Sequence, residues 1–122
     1  MDKFKLNNIR HSYVYVRNHE SYDRYNACKL GRTDNISDRN NQYSTREIIR
    51  GKFEVVFEFN GNSATYVERL LQYEFTRFNI RFNGGTEFYD REIINKIEPY
   101  LKANSIAYRL LSAKEVDNLQ KN

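Results

Sequence analysis

The sequence predicts an α/β fold of the α+β kind, a small three-stranded antiparallel sheet flanked by helices, on three observations. Two extended segments, SYVYVRN at 12–18 and NACKLGR at 26–32, follow one another across a short polar loop, which makes them antiparallel neighbours. GKFEVVFEF at 51–59 alternates phenylalanines with glutamates and reads as a third strand. ATYVERLLQYEF at 64–75 repeats its apolar residues at helical spacing. The order is β-β-α-β-α followed by two more helical pieces, and 122 residues fit one domain, 1–122.

In the first strand Tyr13 and Tyr15 alternate with Val14 and Val16, and in the second Cys28 and Leu30 alternate with Ala27, Lys29 and Gly31. With the valines, Cys28 and Leu30 on the core face, Tyr13, Tyr15 and Lys29 share the opposite one, which is unusually polar for a face without a task. SDRNNQYST at 37–45 reads as a short polar helix capped by Ser37 or Asp38, with Arg39 and Tyr43 one turn apart on the same side. The third strand directs Phe53, Val55, Phe57 and Phe59 inward and Glu54 and Glu58 outward. The long helix, capped at Asn62 or Ser63, buries Val67, Leu70, Leu71 and Phe75, with Phe78 close by; Glu68 stands at the edge of that stripe. A Gly-Gly turn at 84–85 precedes a short extended piece. The segment 90–104 reads as an amphipathic helix burying Ile93, Ile94 and Ile97, kinked or ended by Pro99. Ser112 and Glu115 form a capping box for a last helix.

The net charge of +4 favours polyanions, and the excess is concentrated in Arg24, Lys29, Arg32, Arg39, Arg46, Arg50 and Lys52. Cys28 is the only cysteine, which excludes an intrachain disulfide and a thiolate zinc site and suits a reducing, intracellular compartment. His11 and His19 have no metal-binding spacing and read as surface residues. No apolar run reaches the length of a membrane span.

The corner from Lys29-Leu30-Gly31-Arg32-Thr33 into the Arg39/Tyr43 helix holds more cationic and polar groups than packing requires, as a phosphate ligand would. Tyr13-Val14-Tyr15, then Lys29-Leu30-Gly31, then Arg39, then Glu68 form an ordered set that resembles the GIY-YIG nuclease domain over nearly the whole chain. The first triplet keeps only its final Tyr15, and the second has Lys29 in place of tyrosine, as some restriction enzymes of that family do. The segment GGTEFYD is similar to the phage and large-DNA-virus branch. The resemblance implies a catalytic set of Tyr15, Lys29, Arg39, Tyr43 and Glu68, with Asn79 or Asn83 as the family's late asparagine. Arg32, Thr33, Asn79 and Asn83 are the candidate substrate-binding residues.

The chemistry agrees with the resemblance. Glu68 can hold Mg²⁺ or Mn²⁺ with one carboxylate, because such a cation keeps waters and takes phosphate oxygens. Tyr15 is the candidate general base, with Lys29 favouring its phenolate. Arg39 grips the scissile phosphate, and Tyr43 bonds the same phosphate or orients the water. The function expected is a metal-dependent endonuclease or nickase acting on double-stranded or branched DNA, with no membrane partner. Two alternatives stand beside it: a decayed nuclease fold that only binds nucleic acid, and a protein-interaction domain using an aromatic surface of Tyr22, Tyr25, Tyr43 and Tyr66. "NGGTE" lacks the Lys-Ser/Thr of a phosphate-binding loop and reads as a turn, with Glu87 supporting the site from behind.

Overall fold

The alternation of Tyr13, Tyr15 and Arg17 with Val14 and Val16 builds β1 (His11–Asn18), which pairs antiparallel with β2 (Ala27–Thr33) on one side and β3 (Lys52–Asn60) on the other. The computed structural model describes residues 10–82 and 85–120. The sheet is larger than the three strands expected: its six strands run in the order β4-β5-β2-β1-β3-β6. β5 (Gly85–Asp90) lies against β2, with Lys29 opposite Phe88, and pairs with β4 (Asn79–Phe82) on its outer side. β6 (Arg109–Leu110) closes the other edge beside β3. These added strands are short, and their pairing is decided by the edges they meet rather than by their own periodicity. Residues 83–84, which hold Asn83 and the first glycine of the expected Gly-Gly turn, lie outside the described residues.

Both faces of the sheet are covered. On the first, Val14, Val16, Leu30, Phe57 and Phe59 pack under Val67 and Leu71 of α3 (Ser63–Glu74) and Ile97 and Leu101 of α4 (Ile97–Ala103). On the second, Tyr15, Phe53 and Val56 meet Ile36 of α2 (Ile36–Ser44) and Val116 of α5 (Ala113–Gln120). The tyrosine face is therefore a second core. Phe53, expected beside Phe57 and Phe59, lies on this second face: Val16 is opposite Val55 but Arg17 is opposite Phe53. The extra residue, Glu54, is a bulge that reverses the alternation.

Three local expectations are corrected. The loop after β1 contains a short helix, α1 (Glu20–Asp23), whose Ser21 N–H donates to His19 Nδ1 at 3.1 Å. The cap of α2 is Asn35, whose Oδ1 accepts from the Asp38 N–H at 3.0 Å. The 90–104 segment divides into a 3₁₀ turn, Arg91–Asn95, and α4, because Pro99 has no N–H to give to the Asn95 carbonyl. Pro99 then falls in the first turn of α4, where a missing donor is harmless. The capping box forms as expected: the Ser112 N–H donates to Glu115 at 2.9 Å, and the Glu115 N–H to Ser112 Oγ at 3.1 Å.

Gly31 lies directly across from Tyr15, and a Cβ there would stand 2.5 Å from the phenol oxygen and 2.6 Å from Cζ. Gly31→Ala is expected to destabilise the fold by about 1–3 kcal/mol through overpacking, read as a lower urea midpoint. Unchanged stability would mean that the Tyr15 ring does not need that slot.

Candidate active site

The slot over Gly31 fixes Tyr15 on the second face, with the Phe53 ring edge-on at 4.9 Å between centroids. Tyr15 is 1 % exposed, and its hydroxyl stands 2.8 Å from that of Tyr43, which α2 brings over the sheet. Burial, with Tyr43 adding to it, holds the Tyr15 phenol well above its ordinary range; Arg39 and Lys29 oppose this and do not prevail. Burial also raises Tyr43, where the hydrogen bond with Tyr15 and the charges of Arg17 and Arg39 pull the other way.

Beneath this pair lies a residue that sequence reasoning missed. Arg17 is 0 % exposed, and its guanidinium donates to both carboxylate oxygens of Glu47, at 2.7 and 2.6 Å. The same group stacks 3.9 Å from the centroid of the Tyr43 ring. Partial burial pushes the Glu47 carboxyl up, but hydrogen bonds from Arg17 and the Gly51 N–H outweigh it and the net shift is downward. The signal was present in the alternation, since Arg17 follows Tyr13 and Tyr15 on one face of β1.

Lys29 extends from β2 to within 4.9 Å of the Tyr43 ring centroid and pairs with Glu87 of β5 at 3.4 Å. Arg32 lies 3.8 Å from Asp34. Thr33 is buried, and its hydroxyl donates to the Asn35 carbonyl and accepts from the Asn35 N–H, both at 3.1 Å, so it shapes the turn into α2. Asn79 donates to the Phe88 carbonyl at 3.1 Å and lines a cleft of about 550 Å³ with Gln72, Thr76, Arg81 and Tyr89.

Two charged groups stand apart from these pairings. The Nε of Arg39 is buried without a hydrogen-bond partner, and its guanidinium has no ion pair among the described residues. Asp34, at the start of the same corner, is met by Arg32 and Arg10 and not by Arg39. Glu68 is half-buried and likewise makes no hydrogen bond or ion pair among the described residues. Burial raises its carboxyl, Arg32 and Arg39 pull it down, and Glu87 pushes it up, so all four charges share one electrostatic neighbourhood. Buried polar atoms are nearly always bonded; Arg17 Nε, Asn40 Oδ1 and His11 Nδ1 are unbonded as well, so what singles out Arg39 is that its charge, unlike that of Arg17, has no ion pair among the described residues.

Among the described residues no three His, Cys, Asp or Glu gather into a metal site. A lone, half-buried carboxylate near cationic groups fits a hard cation that keeps most of its waters and is completed by phosphate oxygens. It does not fit a zinc-type site. The aromatic surface expected from Tyr22, Tyr25, Tyr43 and Tyr66 is not one patch. Tyr43 belongs to the second face and Tyr22 packs on His19 and Phe88, whereas Tyr66 lies on α3, across the sheet. No helix among the described residues is long and apolar enough to cross a membrane.

No curated protein and no solved structure matches the chain. The T5orf172 domain matches residues 12–110, a span that includes Tyr15, Lys29, Arg39, Tyr43 and Glu68. The chain belongs to the T5orf172 domain family, a phage-associated family of the GIY-YIG/HNH-like nuclease-related group.

Proposed function

We propose that the chain is a GIY-YIG-type endonuclease or nickase that hydrolyses phosphodiester bonds of double-stranded or branched DNA with Mg²⁺ or Mn²⁺. The observation that supports this most is that Arg39 and Glu68, opposite charges in one electrostatic neighbourhood, have no ion pair among the described residues, while Arg39 also acts on the hydrogen-bonded Tyr15/Tyr43 pair. Arg39 binds the scissile phosphate through its free guanidinium donors, and Arg32 adds positive charge to the same neighbourhood. Glu68 would hold the cation, which supplies charge stabilisation at the phosphoryl oxygens. Asn79 and Thr33 act from behind, through the turn and strand they brace.

The proton of the attacking water is accepted by the tyrosine pair. Tyr15 is shielded from solvent, so the member that reaches the water is Tyr43, with the Tyr15 hydroxyl behind it stabilising the developing phenolate. Lys29, over the Tyr43 ring, favours the same charged form. A second reading, a nucleic-acid-binding module without turnover, draws support from the burial that keeps Tyr15 protonated.

Plasmid relaxation by purified protein with Mg²⁺ or Mn²⁺ is expected, absent in EDTA and reduced by about two orders of magnitude in Glu68→Ala. Binding of DNA without nicking in either metal would favour the second reading. Because burial raises both tyrosines and Lys29 lowers Tyr15, the nicking rate should climb with pH through neutrality, and Lys29→Met should move that limb to higher pH. An unmoved profile would remove Lys29 from this role.

A further inference from the structure

The outer side of α3 carries Tyr66, Arg69 and Tyr73, three and four residues apart and therefore in line. Tyr66 is 64 % and Tyr73 84 % exposed, and Arg69 is exposed between them. Glu68 points to a different side of the same helix, at the edge of its buried stripe. The line runs into a groove of about 930 Å³ at the junction of α3 and α4, walled by Tyr73, Arg77, Phe78, Lys96 and Tyr100. There the Arg77 guanidinium lies 4.7 Å, and the Lys96 ammonium 5.7 Å, from the centroid of the Phe78 ring. Glu74 also lines the groove, and Glu92 meets Lys96 at 3.4 Å. Arg69 and Arg77 have no carboxylate partner among the described residues.

Open tyrosine rings interleaved with unpaired arginines match a polyanion that also offers flat apolar faces. A second copy of the chain would set like charges against each other. A duplex presents phosphates but hides its base faces. We propose that this groove binds single-stranded nucleic acid, Tyr66 and Tyr73 stacking on unpaired bases while Arg69, Arg77 and Lys96 meet the phosphates. It is separate from the candidate active site and does not depend on it.

The test is fluorescence anisotropy in EDTA with a labelled oligothymidylate of about twenty nucleotides, long enough for such a site, and the matching duplex. The proteins are wild type, Tyr73→Ala and Arg77→Gln, whose side chains are exposed and whose folding is checked by circular dichroism. The single strand should bind through the groove, and loss of Tyr73 should leave the duplex affinity unchanged. Tyr73→Ala should weaken it about tenfold or more, and Arg77→Gln should reduce the salt slope by roughly 0.7. No single-strand binding by wild type, or equal single-strand affinity in Tyr73→Ala, would overturn the proposal. Binding through Tyr73 by a protein that cuts no plasmid would uphold the groove and overturn the active-site reading alone.

Discussion

A cation buried completely in the second core, Arg17, is the constraint from which the rest of the site follows. An unpaired guanidinium there would cost several kcal/mol in lost hydration, roughly the whole margin of a small domain. Glu47 meets it with both oxygens and the Tyr43 ring covers its face. Glu47 lies on the segment between α2 and β3, so that segment must fold back onto β1. Gly51 permits this, since a Cβ there would stand 2.6 Å from the Arg17 guanidinium, and His19 bonds the Ile49 carbonyl at 2.5 Å to close the segment. Tyr43 is pinned by the same contact that satisfies Arg17, and its hydroxyl is thereby delivered to Tyr15.

The two cores have different characters. The first, under α3 and α4, is aliphatic and aromatic packing of the ordinary kind. The second places two phenols and two guanidiniums in the same small volume as Ile36, Val56 and Val116. Interiors of that kind are costly wherever a polar atom goes unmatched; here both Nη groups of Arg17, Glu47, Tyr15 and Tyr43 bond one another, while the Arg17 Nε, like that of Arg39, has no hydrogen-bond partner among the described residues. Among the described residues Arg39 and Glu68 are left without an ion pair. Opposite charges that share a neighbourhood without pairing are what a phosphate and a cation would complete, and they hold back stability that direct pairing would have supplied.

Much of this could be read from the chain. Strict alternation in β1 and β2 placed Tyr15 and Lys29 on one face, and the Gly31 opposite Tyr15 is a direct consequence of that register. The helical spacing of Val67 and Leu71 and the Ser112/Glu115 box were equally direct. What escaped depended on contacts distant in sequence. Arg17 draws no notice in the sequence because its partner is thirty residues away. The bulge at Glu54 has no signature of its own, so Phe53 was assigned to the wrong face. β6 contains two residues and exists only because β3 offers an edge. Asn35 outcompetes Ser37 and Asp38 as a cap because Thr33 first bends the chain with two bonds to the Asn35 backbone.

On the proposed function, the site keeps Arg39 without an ion pair among the described residues, for a ligand and at the expense of stability. Thermal melting and plasmid nicking of Arg39→Ala, measured side by side, test it most directly. Nicking should be lost while the melting temperature is unchanged or higher, because the variant removes a buried donor that no described residue satisfies. A lower melting temperature with nicking retained would contradict it and make Arg39 a structural residue.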